Sequence, residues 1–235
     1  MIDPMRFEAA LTGRLTFRPG VAPTDEPLPP GRHELAFEEG RATVLVVPDG
    51  LDTSRPVPLL VMFHGAGGEA NRVLPHLVPL SRKRGFLLMT PQSTYPTWDI
   101  VVGGNGPDLS HLDQSLQWVA SRFALDPGHL CLAGFSDGGS YALSTGLTNG
   151  DVASHVIGLS AGFINSFTQA GAPRIFLAHG RSDLQLPIET SAQPHALKML
   201  EAGHDLTLLP FDGDHVIVPW VIDQAVSFFM GPEAC

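Results

Sequence analysis

Ser136 stands between glycines in Gly134-Phe135-Ser136-Asp137-Gly138, within the longer stretch LCLAGFSDGGSYAL. An apolar run that reads as a strand precedes it, and a run that reads as a helix follows. A tight strand-to-helix turn forces strained dihedrals on the serine and packs neighbouring backbones closely. Glycines at the flanks remove the side chains that would clash. Such a turn lifts the hydroxyl above a sheet and aims the first amides of the next helix at the same spot. That geometry suits a nucleophile beside an anion site. The competing reading is a serine that caps the following helix.

A serine hydroxyl is a weak nucleophile at neutral pH and needs a base, which in turn needs an acid to fix its tautomer. Ten histidines are available. In LPFDGDHVIVP, His215 falls just past the last strand candidate. In LAHGRSDLQLP, Asp183 falls just past the strand candidate before it. Asp212 and Asp214 lie too near His215 along the chain for the usual layout, and a turn residue or helix cap is the alternative reading for all three aspartates. His179 is a rival base, or a residue that orients the acid loop. Acyl transfer also requires donors for a tetrahedral oxyanion. The loop FHGAGGEAN, past the third strand candidate, offers the Ala66 amide, with Gly67 as its substitute. The Asp137 amide is the second donor, and His64 is expected to hold the loop by hydrogen bonding.

These residues need a sheet whose strand ends face one crevice. Strand candidates are HELAFEE from His33, ATVLVVP from Ala42, PLLVMFH from Pro58, FLLMTP from Phe86, HLCLAGF from His129, HVIGLSA from His155, RIFLAHG from Arg174 and DLTLLPF from Asp205. The later runs are almost wholly apolar, as in parallel strands covered on both faces. Helix candidates cover about 70–84, 109–123, 138–147, 188–202 and 216–229. In the second, Leu109, Leu112, Leu116, Val119 and Phe123 recur at helical spacing. The alternation predicts an α/β fold: a doubly wound, mostly parallel sheet of about eight strands with helices on both faces. The first two strands lack a helix between them, which predicts an antiparallel hairpin at one edge. Residues 1–30 read as a Pro-rich arm, PGVAPTDEPLPP being unable to hold a helix or an inner strand. Residues 31–235 read as a single catalytic domain.

Composition removes several functions. The chain has 235 residues, 43% of them apolar, and a formal net charge of -10. That acidity disfavours nucleic acid as a partner, which requires a basic stripe. No stretch has the ~18–20 apolar residues of a membrane span. The opening residues MIDPMRFEAALTGRLTF do not read as a signal peptide, since Asp3, Arg6 and Glu8 interrupt the apolar core one would need. The expected location is cytoplasmic. Cys131 sits in an apolar run and Cys235 ends the chain, so no disulfide framework is expected. There is no H-E-x-x-H, no paired-cysteine spacing and no histidine cluster, so neither a metal nor an organic cofactor is expected.

With these pieces placed, the chain resembles the α/β-hydrolase superfamily. More narrowly it resembles the compact phospholipase/carboxylesterase group and the related polyhydroxybutyrate-depolymerase-like and feruloyl-esterase-like esterases. The resemblance covers roughly residues 32–229. It rests on PLLVMFHGAGG, on DLSHLDQSLQWVASRFALDPGHLCLAGFSDGGSYAL and on IFLAHGRSDLQLPIE, with Ser136, Asp183 and His215 in the family's chain order. The resemblance implies a serine ester hydrolase working through an acyl-enzyme on small esters of short or medium chain. It further implies pocket roles for Trp98 as an aromatic wall, for Phe163 near the acyl group and for Leu184 beside the acid; core packing is the alternative for each. No long insertion separates the sixth and seventh strands, so no large lid domain is expected. The Pro-rich arm departs from the family pattern, and covering a sheet edge or supporting a homodimer are among its open roles. Thioester hydrolysis and a non-catalytic binding protein of the same fold are the competing functions.

Overall fold

The computed structural model describes residues 11–37, 42–166 and 168–232. Residues 1–10 of the opening segment, the end of the first strand candidate and Cys235 lie outside them. The strands are β1 (Gly31–Leu35), β2 (Thr43–Val47), β3 (Val57–Phe63), β4 (Leu87–Thr90), β5 (Leu125–Phe135), β6 (His155–Leu159), β7 (Arg174–Gly180) and β8 (Leu206–Phe211). They form one sheet in the order β1-β2-β4-β3-β5-β6-β7-β8. β2 is antiparallel to both neighbours, and every other pairing from β4 to β8 is parallel. The edge hairpin is therefore present, as the missing helix predicts.

Side chains alternate between the two faces. Leu45, Val47, Leu59, Val61 and Phe63 join one core, while Val44, Val46, Leu60 and Met62 join another. Helices cover both faces: α1 (Ala70–Arg84), α2 (Asp99–Val102), α3 (Pro107–Ala120), α4 (Asp137–Thr148), α5 (Ala192–Glu201) and α6 (Pro219–Met230). The short α2 is not visible as a periodic pattern. β5 begins at Leu125, ahead of the expected His129, because pairing with β3 resumes across an irregularity between Val57 and Leu59 that absorbs the turn residues Asp126, Pro127 and Gly128. Residues 160–173 link β6 to β7 with no helix among the described residues.

Part of the N-terminal arm is built into the domain. Leu15 and Phe17 are buried in the first core. The Leu15 amide donates to Asn149 Oδ1 at 2.8 Å, and the Phe17 amide donates to Asp113 Oδ1 on α3 at 2.8 Å. Further on, the Thr24 and Asp25 amides donate to Ser121 O. The arm thus runs along α3, fixed by backbone hydrogen bonds that its prolines leave intact.

Candidate active site

The sheet order places a topological switch between β3 and β5: β3 connects to β4 on one side, and β5 leads to β6 on the other. Loops leaving the two strand ends diverge there and open a crevice. Gly65, after β3, lies directly against the serine: a Cβ built on it would stand 3.3 Å from Ser136 Cβ. A Cβ on Gly138 would overlap the Phe63 and His64 carbonyls, and one on Gly134 would overlap the Gly138 carbonyl. These close approaches explain why glycine occupies both flanks of the motif.

Ser136 has φ 56° and ψ -121°, one of two described non-glycine residues with positive φ. Such a conformation costs on the order of 1–3 kcal/mol and persists only where its surroundings fix it. Here the Ser136 amide donates to Leu159 O at 2.8 Å, and its carbonyl accepts from the Ser140 amide at 2.9 Å. The hydroxyl makes no helix-capping bond. It lies instead 2.8 Å from His215 Nε2. His215 Nδ1 donates to Asp183 Oδ2 at 2.7 Å. Asp183 Oδ1 accepts the amides of Gln185 and Leu186 at 3.0 and 2.9 Å. Burial works to raise the Asp183 pKa, but the Leu186 amide, the His215 ring and the Gln185 amide together hold it below the ordinary carboxylate value. The Phe135 ring packs on His215 with centroids 4.9 Å apart. The three residues singled out from sequence thus form one hydrogen-bonded line. Such a line can pass the serine proton to an imidazole whose cation an ionised carboxylate stabilises.

The loop after β3 is held as expected for His64, which is 1% exposed. Its Nε2 accepts from the Ser93 amide at 3.2 Å and from Gln92 Nε2 at 3.0 Å, which assigns the proton to Nδ1, donated to Gly65 O at 2.8 Å. The Gly67 amide donates to Pro96 O at 2.6 Å. Gly67 therefore cannot substitute for Ala66 as a donor in this arrangement. Among the described residues, the Ala66 and Asp137 amides have no acceptor, and Ala66 is exposed.

The pocket residues fall differently. Trp98 is 1% exposed, stacks on Tyr141 at 4.8 Å and donates its indole N–H to His64 O at 2.8 Å. It is a core residue, not an aromatic wall. Leu184 is 92% exposed and projects into solvent, so it lines no pocket wall. Phe163 is half-buried against the first core, and its amide donates to Ser140 Oγ at 3.2 Å.

Several supports escape sequence reading. Thr97 donates to Asp137 Oδ2 at 2.6 Å, tying the residue after the serine to the β4–α2 connection. Ser140 and Ser144 accept the amides of Gly162 and Asn165 at 3.0 and 2.9 Å, fixing the loop after β6 to α4. Their spacing of four was the one available signal. Cys131 is buried and unpaired in β5. Among the described residues, no group of three His, Cys, Asp or Glu side chains is placed to hold a metal, and no helix is long and apolar enough to cross a membrane.

No family model matches the chain. It is 27% identical over 230 residues to a probable feruloyl esterase C of Aspergillus niger, covering 84% of this chain and 83% of that protein. It is also 27% identical over 158 residues to feruloyl esterase C of Emericella nidulans, covering 64% of this chain. The chain matches just over half of that second relative, 57% of its length. Among solved structures, an S-formylglutathione hydrolase of Staphylococcus aureus superposes with a TM-score of 0.70 at 13% identity, covering 86% of this chain and 99% of that one. The chain has the α/β-hydrolase fold, without a large lid. Fold and relatives together support a carboxylic-ester hydrolase of that fold.

Proposed function

We propose that this chain hydrolyses small or short- to medium-chain esters through an acyl-enzyme on Ser136. The observation that carries this reading is the continuous line from Ser136 Oγ through His215 to Asp183 at a strained strand-to-helix turn. His215 takes the serine proton as Ser136 attacks the ester carbonyl, then delivers it to the departing alcohol. Asp183 fixes the imidazole tautomer and stabilises its cation. The Ala66 and Asp137 amides receive the oxyanion of each tetrahedral intermediate. Water activated by His215 then releases the acid. Phe163 remains the pocket residue of this reading, near the acyl group.

The helix-free link from β6 to β7 supports an uncovered site and a small soluble substrate. The names of the two sequence relatives direct the first trials to esters of hydroxycinnamic acids. Thioester hydrolysis is the second reading, favoured by the structural neighbour that is an S-formylglutathione hydrolase and by chemistry that uses the same machinery. A single catalytic domain of residues 31–235, whose core Leu15 and Phe17 of the arm complete, a cytoplasmic setting and a homodimer belong to this reading as well, the last two tested by cell fractionation and by light scattering.

The test is a p-nitrophenyl ester series, acetate through decanoate, with methyl ferulate alongside. Wild type and Ser136→Ala are assayed with a chelator present. We expect wild type to hydrolyse the short esters and Ser136→Ala to lose ~10³-fold or more. Equal slow rates in both proteins would point instead to a binding protein of this fold.

A further inference from the structure

His179 is fully buried at the end of β7 and takes no direct part in the Ser136–His215–Asp183 line. Its Nε2 lies 2.6 Å from Leu186 O and 3.3 Å from Asp183 Oδ2. Both neighbours accept and neither can donate, a carbonyl by nature and a carboxylate when ionised, so the ring proton sits on Nε2. Nδ1 has no partner among the described residues. The ring therefore serves one purpose on its polar side, to donate into the 183–186 loop.

The loop itself is short and closed. Asp183 Oδ1 accepts the Gln185 and Leu186 amides, while His179 takes the Leu186 carbonyl from beneath. Leu186 is thus held at both its N–H and its C=O. Asp183 Oδ2 meets two ring nitrogens, His215 Nδ1 at 2.7 Å and His179 Nε2 at 3.3 Å. Each carboxylate oxygen faces two donors, which leaves the group one rotamer. Leu186 also packs on the loop after β6: a Cβ on Gly162, next to Phe163, would stand 3.1 Å from Leu186 Cδ2.

We propose that His179 is a positioning residue, which holds the Asp183 carboxylate in the orientation that His215 requires, by gripping Leu186 O and sharing Oδ2. This rests on the reading of Asp183 as the acid of the triad. An imidazole fits because its rigid ring carries the donor well beyond Cβ without a flexible chain, so the acid loop cannot drift on its own strand.

The test compares His179→Asn with His179→Gln, each alone and combined with Asp183→Asn. A glutamine amide reaches the place of Nε2 and keeps a donor there; an asparagine amide reaches only the place of Nδ1. We expect His179→Asn to lower kcat by about 10- to 100-fold, the scale of a sub-ångström misplacement of a catalytic group, with KM within about threefold. His179→Gln is expected to stay within about fivefold of wild type. In the Asp183→Asn background the asparagine change should cost less than about threefold, because residues acting through one another are not additive. A buried histidine that merely supports the fold would give the same loss in both backgrounds, and that result overturns the proposal. So would wild-type kcat in His179→Asn, or equal losses in the two variants. If Asp183→Asn itself keeps full activity, the triad reading fails and takes this one with it; if Asp183→Asn is impaired and His179→Asn is not, this one alone fails. Should the asparagine variant not fold, the downfield proton resonance of His215 Nδ1–H decides. It must keep its wild-type position in His179→Gln, and its displacement there contradicts the proposal.

Discussion

Asp183 and Asp99 are each 3% exposed, but Asp99 lies deeper among neighbouring atoms, and burial pushes both carboxyls upward. They nevertheless settle on opposite sides of the ordinary value. Asp183 has amides on one oxygen and imidazoles on the other, and ends below it. Asp99 accepts the amides of Gly106, Asp108 and Leu109 on Oδ2, but Oδ1 has no partner among the described residues. Its neighbour Asp108 adds a like charge, and Asp99 is pushed up to about 6. Depth of burial, donors and neighbouring charges together set the protonation of each carboxyl.

The two regions also use their carboxyls differently. Asp183 accepts from His215, the base of the proposed mechanism. Asp99 and Asp108 fold a brace, in which the Asp99 amide donates to Asp108 Oδ2 at 2.8 Å and the Asp108 amide donates back to Asp99 Oδ2 at 2.9 Å. Asp108 Oδ1 takes the Thr94 amide at 2.7 Å. From this brace Thr97 reaches Asp137, Pro96 reaches Gly67 and Trp98 reaches His64. In the proposed mechanism one region does the chemistry, and the other holds the loops that carry the Ala66 and Asp137 amides.

The sharpest way to break this contrast is to neutralise each carboxyl. Asp183→Asn removes the acceptor that fixes the His215 tautomer, and kcat in the ester assay should fall by about 10³- to 10⁴-fold. Asp99→Asn should leave kcat within a few-fold of wild type. A large loss in Asp99→Asn, or none in Asp183→Asn, would erase the distinction.

Asp99 should show itself in stability instead. Its folded pKa is raised, so the folded state favours the protonated form. Its contribution is complete below the unfolded value of 3.8 and is lost as pH rises through about 6. A shift of this size corresponds to about 3 kcal/mol. Urea unfolding of wild type should weaken relative to Asp99→Asn by that order between pH 4 and pH 8, and parallel curves would contradict the assignment. The sign for Asp183 is opposite: its contribution is present above the unfolded value and lost as pH falls through the folded one.

Smaller effects sharpen the brace. In Asp108→Asn one accepting oxygen becomes a donor facing an amide, which costs about 1–3 kcal/mol in urea unfolding at neutral pH. Thr97→Val removes one hydrogen bond to Asp137, worth about 0.5–1.5 kcal/mol. The expected readout is a several-fold lower kcat with KM unchanged; an unchanged kcat would detach Asp137 from the brace.

This contrast also marks how far the sequence could be read. Ser136, Asp183 and His215 each follow an apolar strand run, and a parallel sheet brings such ends to one crevice, so their coming together is legible from order alone. The brace was not. Gln92, Thr97, Asp99 and Asp108 sit in a stretch without periodicity, and their partners lie across the fold. The family resemblance implies a pocket wall at Trp98, with core packing as the alternative, yet a buried indole N–H needs an acceptor, and it finds one at His64 O beneath the loop. Leu184 follows Asp183 in a turn where one side chain goes inward and the next outward, a detail set by the Asp183 hydrogen bonds rather than by hydropathy.

The central claim, that Ser136 is the nucleophile, is tested most directly by covalent capture. Wild type and Ser136→Ala would be treated with a fluorophosphonate, and the intact and digested proteins weighed by mass spectrometry. The account predicts one adduct on wild type, carried by Ser136, and none on Ser136→Ala. An unmodified wild type, or an adduct on another residue that survives in Ser136→Ala, would contradict it.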